Sequence, residues 1–206
     1  MQTIQDLIPK TYQQDLRNLF IYGDVNWYFH PGTAGISEEE LKMAKVNSLA
    51  DANTVERPQF SHSLCIDGKI CSPHYSAVYP MLYFLEEHTG YRPQKILRIK
   101  ANFLYKDALY PNNCYHEPHT DYYNNDWISV PKMSSLIYYV DDSDGDTFFF
   151  DQYLNDAGDR PNKFTVAHRE HPRGGNAILF PSNQFHASSS PVVHDKRVVL
   201  NFVMFD

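Results

Sequence analysis

The 206-residue chain has little of what announces several common protein classes. Its three cysteines, Cys65, Cys71 and Cys114, are odd in number and form no Cys-x-x-Cys pair, which argues against a disulfide scaffold or a zinc ribbon and fits a reducing compartment. No apolar run approaches the roughly 18 residues that span a bilayer, and the opening MQTIQDLIPKTYQQ lacks the apolar stretch of a signal peptide. A soluble cytoplasmic protein without a membrane partner is expected. Neither the glycine pattern of a P-loop nor that of a dinucleotide fold occurs. Basic residues are in deficit as well: a net charge of -7 leaves little general attraction for phosphate backbones, so nucleic acid is a disfavoured partner.

What the chain does have is aromatic and apolar content. Fifteen Tyr and thirteen Phe, with charged residues at 21%, describe a folded β-rich core and exclude a disordered chain. The length suits one compact domain over residues 1–206. Helical spacing dominates the first part, 1–94: Leu16, Leu19 and Phe20 within 12–20, a capping box at Ser37 to Glu40 opening a helix through Leu41, Met43 and Ala44, and a third helix over 76–88 that Gly90 ends. Pro80 is tolerated there because the first helical N–H groups have no intrahelical partner. Strands are expected at 27–30 and 60–65. From 95 onward strand-like runs follow at 95–105, 134–142, 146–152, 162–170, 176–182 and 196–205, separated by polar and Gly/Pro-rich clusters. This punctuation predicts a mostly β fold with flanking α-helices, a double-sheet jelly roll of the cupin-like, double-stranded β-helix kind, its core in 95–206.

His119-Thr120-Asp121 places an imidazole and a carboxylate two residues apart, on one side of an extended chain. By itself the pair reads as a polar surface pair before it reads as a metal site. Downstream, a short strand at 185–188 could return His186 to it. Two imidazoles and one carboxylate leave half of an octahedral ion open, the ligand set of non-haem Fe(II) oxygenases. A structural zinc site would close its coordination, and Cys114 lies at an odd offset from His119 with Pro118 between them. In the last strand, Arg197, Val199, Asn201 and Val203 alternate with Val198, Leu200 and Phe202, so neither face looks solvated. An inward guanidinium calls for an acid beside the metal; the alternatives are an exposed Arg197 at the strand start or a pair with Asp195. His116 is read as a solvated or supporting histidine, and the His168/His171 spacing is disfavoured as a zinc site because Pro172 argues against a helix.

Taken together, His119-Thr-Asp121, Leu136-Ile-Tyr-Tyr-Val-Asp141, Asp144-Gly-Asp-Thr-Phe-Phe149, Gly174 to Phe180, His186 and Lys196-Arg197 to Phe202 resemble the 2-oxoglutarate and Fe(II)-dependent dioxygenase superfamily, in its prolyl-4-hydroxylase-like branch, over residues 96–206. The resemblance implies His119, Asp121 and His186 as iron ligands and Arg197 as the anchor of the 2-oxoglutarate C5 carboxylate. It further implies Tyr139 as a co-substrate contact and Asn201 as an assistant to the arginine. O2 would be the second co-substrate, and hydroxylation of an unactivated C–H bond, with release of succinate and CO2, the reaction.

The sequence departs from the family pattern in two places. The common Gly-Gly-Thr turn is Gly145-Asp146-Thr147, and a second Arg six residues after the first, usual in the nucleic-acid repair branch, is Val203. An amino-acid, peptidyl (prolyl foremost) or other small substrate is therefore expected, with a non-catalytic cupin-like binding module as the main alternative and a nucleic-acid demethylase as a weaker one. Tyr122, Tyr123 and Trp127 follow the iron motif directly and either close over a substrate or pack against the sandwich.

Overall fold

A computed structural model describes residues 1–33, 53–121, 132–154 and 161–206. Runs rich in Val, Ile, Tyr and Phe form the strands: β1 Gln2–Ile4, β2 Tyr28–His30, β3 Gln59–Ile66, β4 Lys69–Ile70, β5 Lys95–Tyr105, β6 Met133–Tyr139, β7 Thr147–Tyr153, β8 Val166–Glu170, β9 Ala177–Pro181, β10 Gln184–Ser188 and β11 Lys196–Phe205. The larger sheet has the order β1-β9-β6-β11-β5-β3-β2, with β4 hairpinned onto β3, and the smaller has the order β10-β7-β8. All of these pairings are antiparallel.

The central strand β11 is buried on both faces, and its two faces serve different neighbours. Val198, Leu200, Phe202 and Met204 join Leu16, Phe20, Leu82 and Leu85 in a core between the large sheet and the helices. Val199 faces the other way and packs with Ile137, Tyr139, Phe149, Ile178 and Phe180, which seals the large sheet onto the small one. The outer side of the small sheet has its own aromatic cluster of Tyr115, Phe148, Phe150, Phe164 and Phe185. Two facing sheets with a helical layer behind one of them form the expected double-stranded β-helix.

The helices are α1 Lys10–Arg17, continued by a π-helical turn over Asn18–Tyr22, then α2 Tyr75–Val78 and α3 Met81–Thr89. The single helix expected over 76–88 is thus two, because Pro80 offers no N–H to carry the ladder across the junction. Gly90 ends α3 with φ +70°, as its position implied. Two strands escaped the sequence reading. β1 is too short to show alternation, and β4 follows Asp67-Gly68, whose positive φ values of 50° and 75° make the tight hairpin turn that an Asp-Gly pair favours. The helix expected at 37–44 and the residues Tyr122, Tyr123 and Trp127 lie outside the described residues. Among the described residues no helix is long and apolar enough to cross a membrane.

Candidate active site and metal centre

His119 and His186 are locked together by backbone, each N–H donating to the other's carbonyl at 2.9 Å. The Asp121 N–H donates to the Ser182 carbonyl at 3.1 Å, which ties the second ligand candidate to the turn between β9 and β10. Both rings carry the same instruction about their protons. His119 Nδ1 lies 3.0 Å from the Glu117 carbonyl, and His186 Nδ1 lies 3.1 Å from the Gln184 carbonyl. A carbonyl only accepts, so each Nδ1 holds a proton, which leaves Nε2 as the ring atom that can serve as a ligand.

The potential ligand atoms of His119, Asp121 and His186 all lie within 4.8 Å of one another, with His186 Nε2 at 3.7 Å from Asp121 Oδ2. Burial, with His186 alongside, pulls His119 down to about 3, so its imidazole is neutral and available as a ligand. Burial opposes ionisation of Asp121, but His186, Arg98, His119 and the Asn201 amide outweigh it and hold the carboxyl well below the usual carboxylate range. Two imidazoles and an ionised carboxylate, with ligand atoms gathered around one point, suit a divalent cation. Among the described residues no other group of three or more His, Cys, Asp and Glu side chains gathers in this way. His168 is spent on Glu170 at 2.9 Å and His171 on Asp146 at 2.8 Å, so the HxxH pair converges on nothing.

Arg197 lines the same cavity and is only 4% exposed. Its Nε donates to the Gly145 carbonyl at 2.7 Å and its Nη2 to Thr147 Oγ1 at 2.8 Å. No carboxylate pairs with it among the described residues, and the Asp195 pairing is not formed. Asp146, the nearest acid in the turn, is engaged by Arg169 and His171. Burial consequently draws the guanidinium below its ordinary value, opposed by Tyr139 and Asp146. A buried, hydrogen-bonded but uncompensated guanidinium fits the carboxylate of a ligand.

Tyr139 and Asn201 are placed differently from what the resemblance implied. The Tyr139 hydroxyl donates to Thr147 Oγ1 at 2.9 Å and does not line the cavity. Thr147, which does line it, accepts from both Tyr139 and Arg197 and keeps its own proton for a third partner. Asn201 donates from Nδ2 to Asp121 Oδ2 at 2.9 Å and accepts from Arg98 on its Oδ1 at 3.0 Å, so it holds the metal-side carboxylate and not the arginine. His116 is fully buried, not solvated, with Nδ1 at 3.0 Å from Ser188 Oγ and Nε2 at 3.1 Å from Ser190 Oγ.

The cavity of about 130 Å³ is lined by the three ligand candidates, Arg197, Thr147 and a row from β5, namely Arg98, Lys100 and Asn102. Its size is close to the engineered cavity of about 150 Å³ that admits benzene. The β5 row went unrecognised in the sequence although its signal is there: in Leu97-Arg-Ile-Lys-Ala-Asn-Phe103 polar residues alternate with apolar ones. Such a pattern usually turns its polar side to water. Here helices cover the apolar side, and the polar side faces inward, opposite Val203, Asn201 and Val199 of β11.

Among solved structures, the chain superposes on a non-heme alpha ketoglutarate dependent epimerase from nogalamycin biosynthesis with a TM-score of 0.55 at 12% identity, over 99% of this chain and 77% of that one. A prolyl hydroxylase from Trichoplax adhaerens, in complex with a hypoxia inducible factor peptide fragment, gives 0.53 at 13% identity, over 100% and 83% of the two chains. The chain shares its fold with both. A third likeness, to AviO1 from Streptomyces viridochromogenes, has a TM-score of 0.52 at 11% identity over 99% of this chain and 88% of that one. No family model and no curated protein matches the sequence.

Proposed function

We propose that the protein is a 2-oxoglutarate- and Fe(II)-dependent dioxygenase that hydroxylates an unactivated C–H bond of an amino-acid, peptidyl or other small substrate, with a prolyl ring as the leading candidate. One observation carries the reading: a His-Asp-His cluster and a buried guanidinium with no counter-ion among the described residues line one small cavity. That pairing is what a chelating oxo acid with a distal carboxylate requires. A cupin-like binding module has no need of both ends.

In this reading His119, Asp121 and His186 hold the ion through Nε2, a carboxylate oxygen and Nε2. Bound iron, with 2-oxoglutarate and O2, supplies the oxidising power, the co-substrate leaving as succinate and CO2. Arg197 takes the distal carboxylate by charge-assisted hydrogen bonds, with the Thr147 hydroxyl as a further donor. Tyr139 acts through Thr147, fixing its hydroxyl. Ile137 and Val199 supply apolar wall between the two polar ends, limiting water around the ligand.

The test is anaerobic addition of Fe(II) and then 2-oxoglutarate to the purified protein, followed by air. A visible metal-to-ligand charge-transfer band and subsequent succinate formation are expected. Iron binding without any 2-oxoglutarate band or succinate would leave the cupin-like module as the better reading, and substrate-dependent turnover on methylated oligonucleotides alone would establish the demethylase.

A further inference from the structure

We infer that the primary substrate is an anion, and that its carboxylate or phosphate sits on the Lys100 ammonium in the β5 wall of the cavity. This deepens the dioxygenase reading and rests on it. A free carboxylate or phosphate on a small molecule is then favoured over an internal, uncharged stretch of peptide.

The cavity wall carries more positive than negative charge. Among the described residues lining the cavity, Asp121 is the only carboxylate, whereas Arg98, Lys100 and Arg197 are all cationic. Loading the site does not correct this imbalance, because an iron(II) dication and a 2-oxoglutarate dianion cancel each other. Two positive charges remain in excess around a cavity of about 130 Å³, where charge that lacks a counter-ion favours an anionic ligand. Arg197 is assigned to the co-substrate and Arg98 is occupied by Asp121 at 2.8 Å. Lys100 is the cation left over.

Geometry points the same way. Lys100 lies opposite Asn201 on β11 and opposite Ser63 on β3, so its side chain rises from the middle of the sheet between two structural neighbours that offer no charge. It makes no hydrogen bond or ion pair among the described residues. Burial, with Arg98 close by and Asp121 opposing, draws its ammonium down to about 8, the mark of a cation short of a partner. Its neighbours in the row are also incompletely satisfied: Arg98 Nε and Asn102 Oδ1 are buried polar atoms without hydrogen-bond partners among the described residues. Three inward polar side chains with spare capacity, on the wall beside the metal cluster and away from Gly145 and Thr147, where Arg197 is anchored, form a second polar subsite. Its net charge selects an anion.

The experiment uses the full chain, loaded anaerobically with Fe(II) and saturating 2-oxoglutarate, and titrates it calorimetrically with acetate, methyl phosphate and the neutral control acetamide. Saturable binding of acetate or methyl phosphate, but not of acetamide, is expected, and the stronger of the two identifies the anion class. Lys100→Met should weaken that binding by about tenfold or more, a loss of about 1.4 kcal/mol or more. Lys100→Arg, which keeps the charge, should retain it. The 2-oxoglutarate affinity read from the charge-transfer band should be unchanged in both variants. No saturable anion binding by the wild type overturns the inference, as does Lys100→Met binding the anion like wild type. Loss of 2-oxoglutarate affinity in Lys100→Met also overturns it, by assigning Lys100 to the co-substrate. Should the wild type form no Fe(II)–2-oxoglutarate complex at all, the dioxygenase reading fails, and the same titration of metal-free Lys100→Met against Arg197→Met still decides whether Lys100 seats an anion.

Discussion

Arg98 donates from Nη2 to Asp121 Oδ1 at 2.8 Å, and the same nitrogen reaches the Asn201 side-chain oxygen at 3.0 Å. Since Asn201 in turn donates to Asp121 Oδ2 at 2.9 Å, the carboxylate is gripped on both oxygens by a pair that is itself connected. Both residues belong to neighbouring strands of the large sheet, so the orientation of Asp121 is set by the paired strands β5 and β11.

Asp121 should therefore depend on this pair for its metal affinity. Arg98→Met and Asn201→Ala are each expected to weaken Fe(II) or Mn(II) binding by about 10–100-fold, the usual cost of losing a partner that orients a ligand. Asp121→Ala should abolish binding. Calorimetric titration with Mn(II) checks all three. Affinities equal to wild type in Arg98→Met would show that the carboxylate needs no such support.

Arg197→Met keeps much of the stem and removes the charge. Loss of a desolvated charge pair costs about 2–5 kcal/mol, so the apparent KM for 2-oxoglutarate should rise by more than about tenfold. Mn(II) binding should survive, because Arg197 is not a ligand. Anaerobic titration of the charge-transfer band measures the first quantity, and equal 2-oxoglutarate affinity in the two proteins would remove Arg197 from the site.

Gly145 has no room for a side chain. A Cβ there would come within 2.6 Å of the Ser189 carbonyl and 3.0 Å of Arg197 Cδ, and the first of these is backbone that cannot swing aside. Gly145→Ala should destabilise the protein by about 1–3 kcal/mol, as overpacking does. It should also weaken 2-oxoglutarate binding, since the Gly145 carbonyl holds Arg197 Nε. Urea unfolding and the charge-transfer titration read the two effects. An unperturbed Gly145→Ala protein would contradict the packing described here.

His116 makes stability depend on pH. Burial, with Arg197 and Arg57 contributing, lowers it to about 3 in the folded chain, against about 6.5 in an unfolded one. Above that ordinary value both states are neutral and the residue has no pH-dependent effect. As pH falls below it, the unfolded chain takes up a proton that the folded chain refuses, and stability drops until the folded value is reached. Between pH 6.5 and pH 5 this amounts to about 2 kcal/mol. His116→Gln should lose stability at pH 7, where its hydrogen bonds to Ser188 and Ser190 matter, yet close the gap to wild type by that amount at pH 5. Urea unfolding of the metal-free proteins at the two pH values is the measurement, and a gap that stays constant would exclude His116 as the source.

Much of this architecture was legible in the sequence because alternation and turn residues are local properties. β5 and β11 fall where their alternating and β-branched residues put them, and His119, Asp121, His186 and Arg197 stand out by residue type and spacing. The helix at 75–89 was legible except for its break, which depended on how far the ladder could pass Pro80. For Tyr139 and Asn201 the resemblance implied a co-substrate contact and support of Arg197, not the partners they have. Which hydroxyl or carboxylate each would meet depends on strands far away in sequence, Thr147 for one and Asp121 for the other.

The sequence by itself determined the strand pattern, the supply of two imidazoles, a carboxylate and an arginine, and the acidity that disfavours nucleic acid. Only the tertiary structure decided which side of β5 is the inside. Arg98, Lys100 and Asn102 line the cavity because α1, its π-helical continuation and α3 cover the opposite face with Leu16, Phe20, Leu82 and Leu85. The physical reason is that alternation specifies two faces without saying which one meets water. That choice belongs to whichever other elements bury the apolar one.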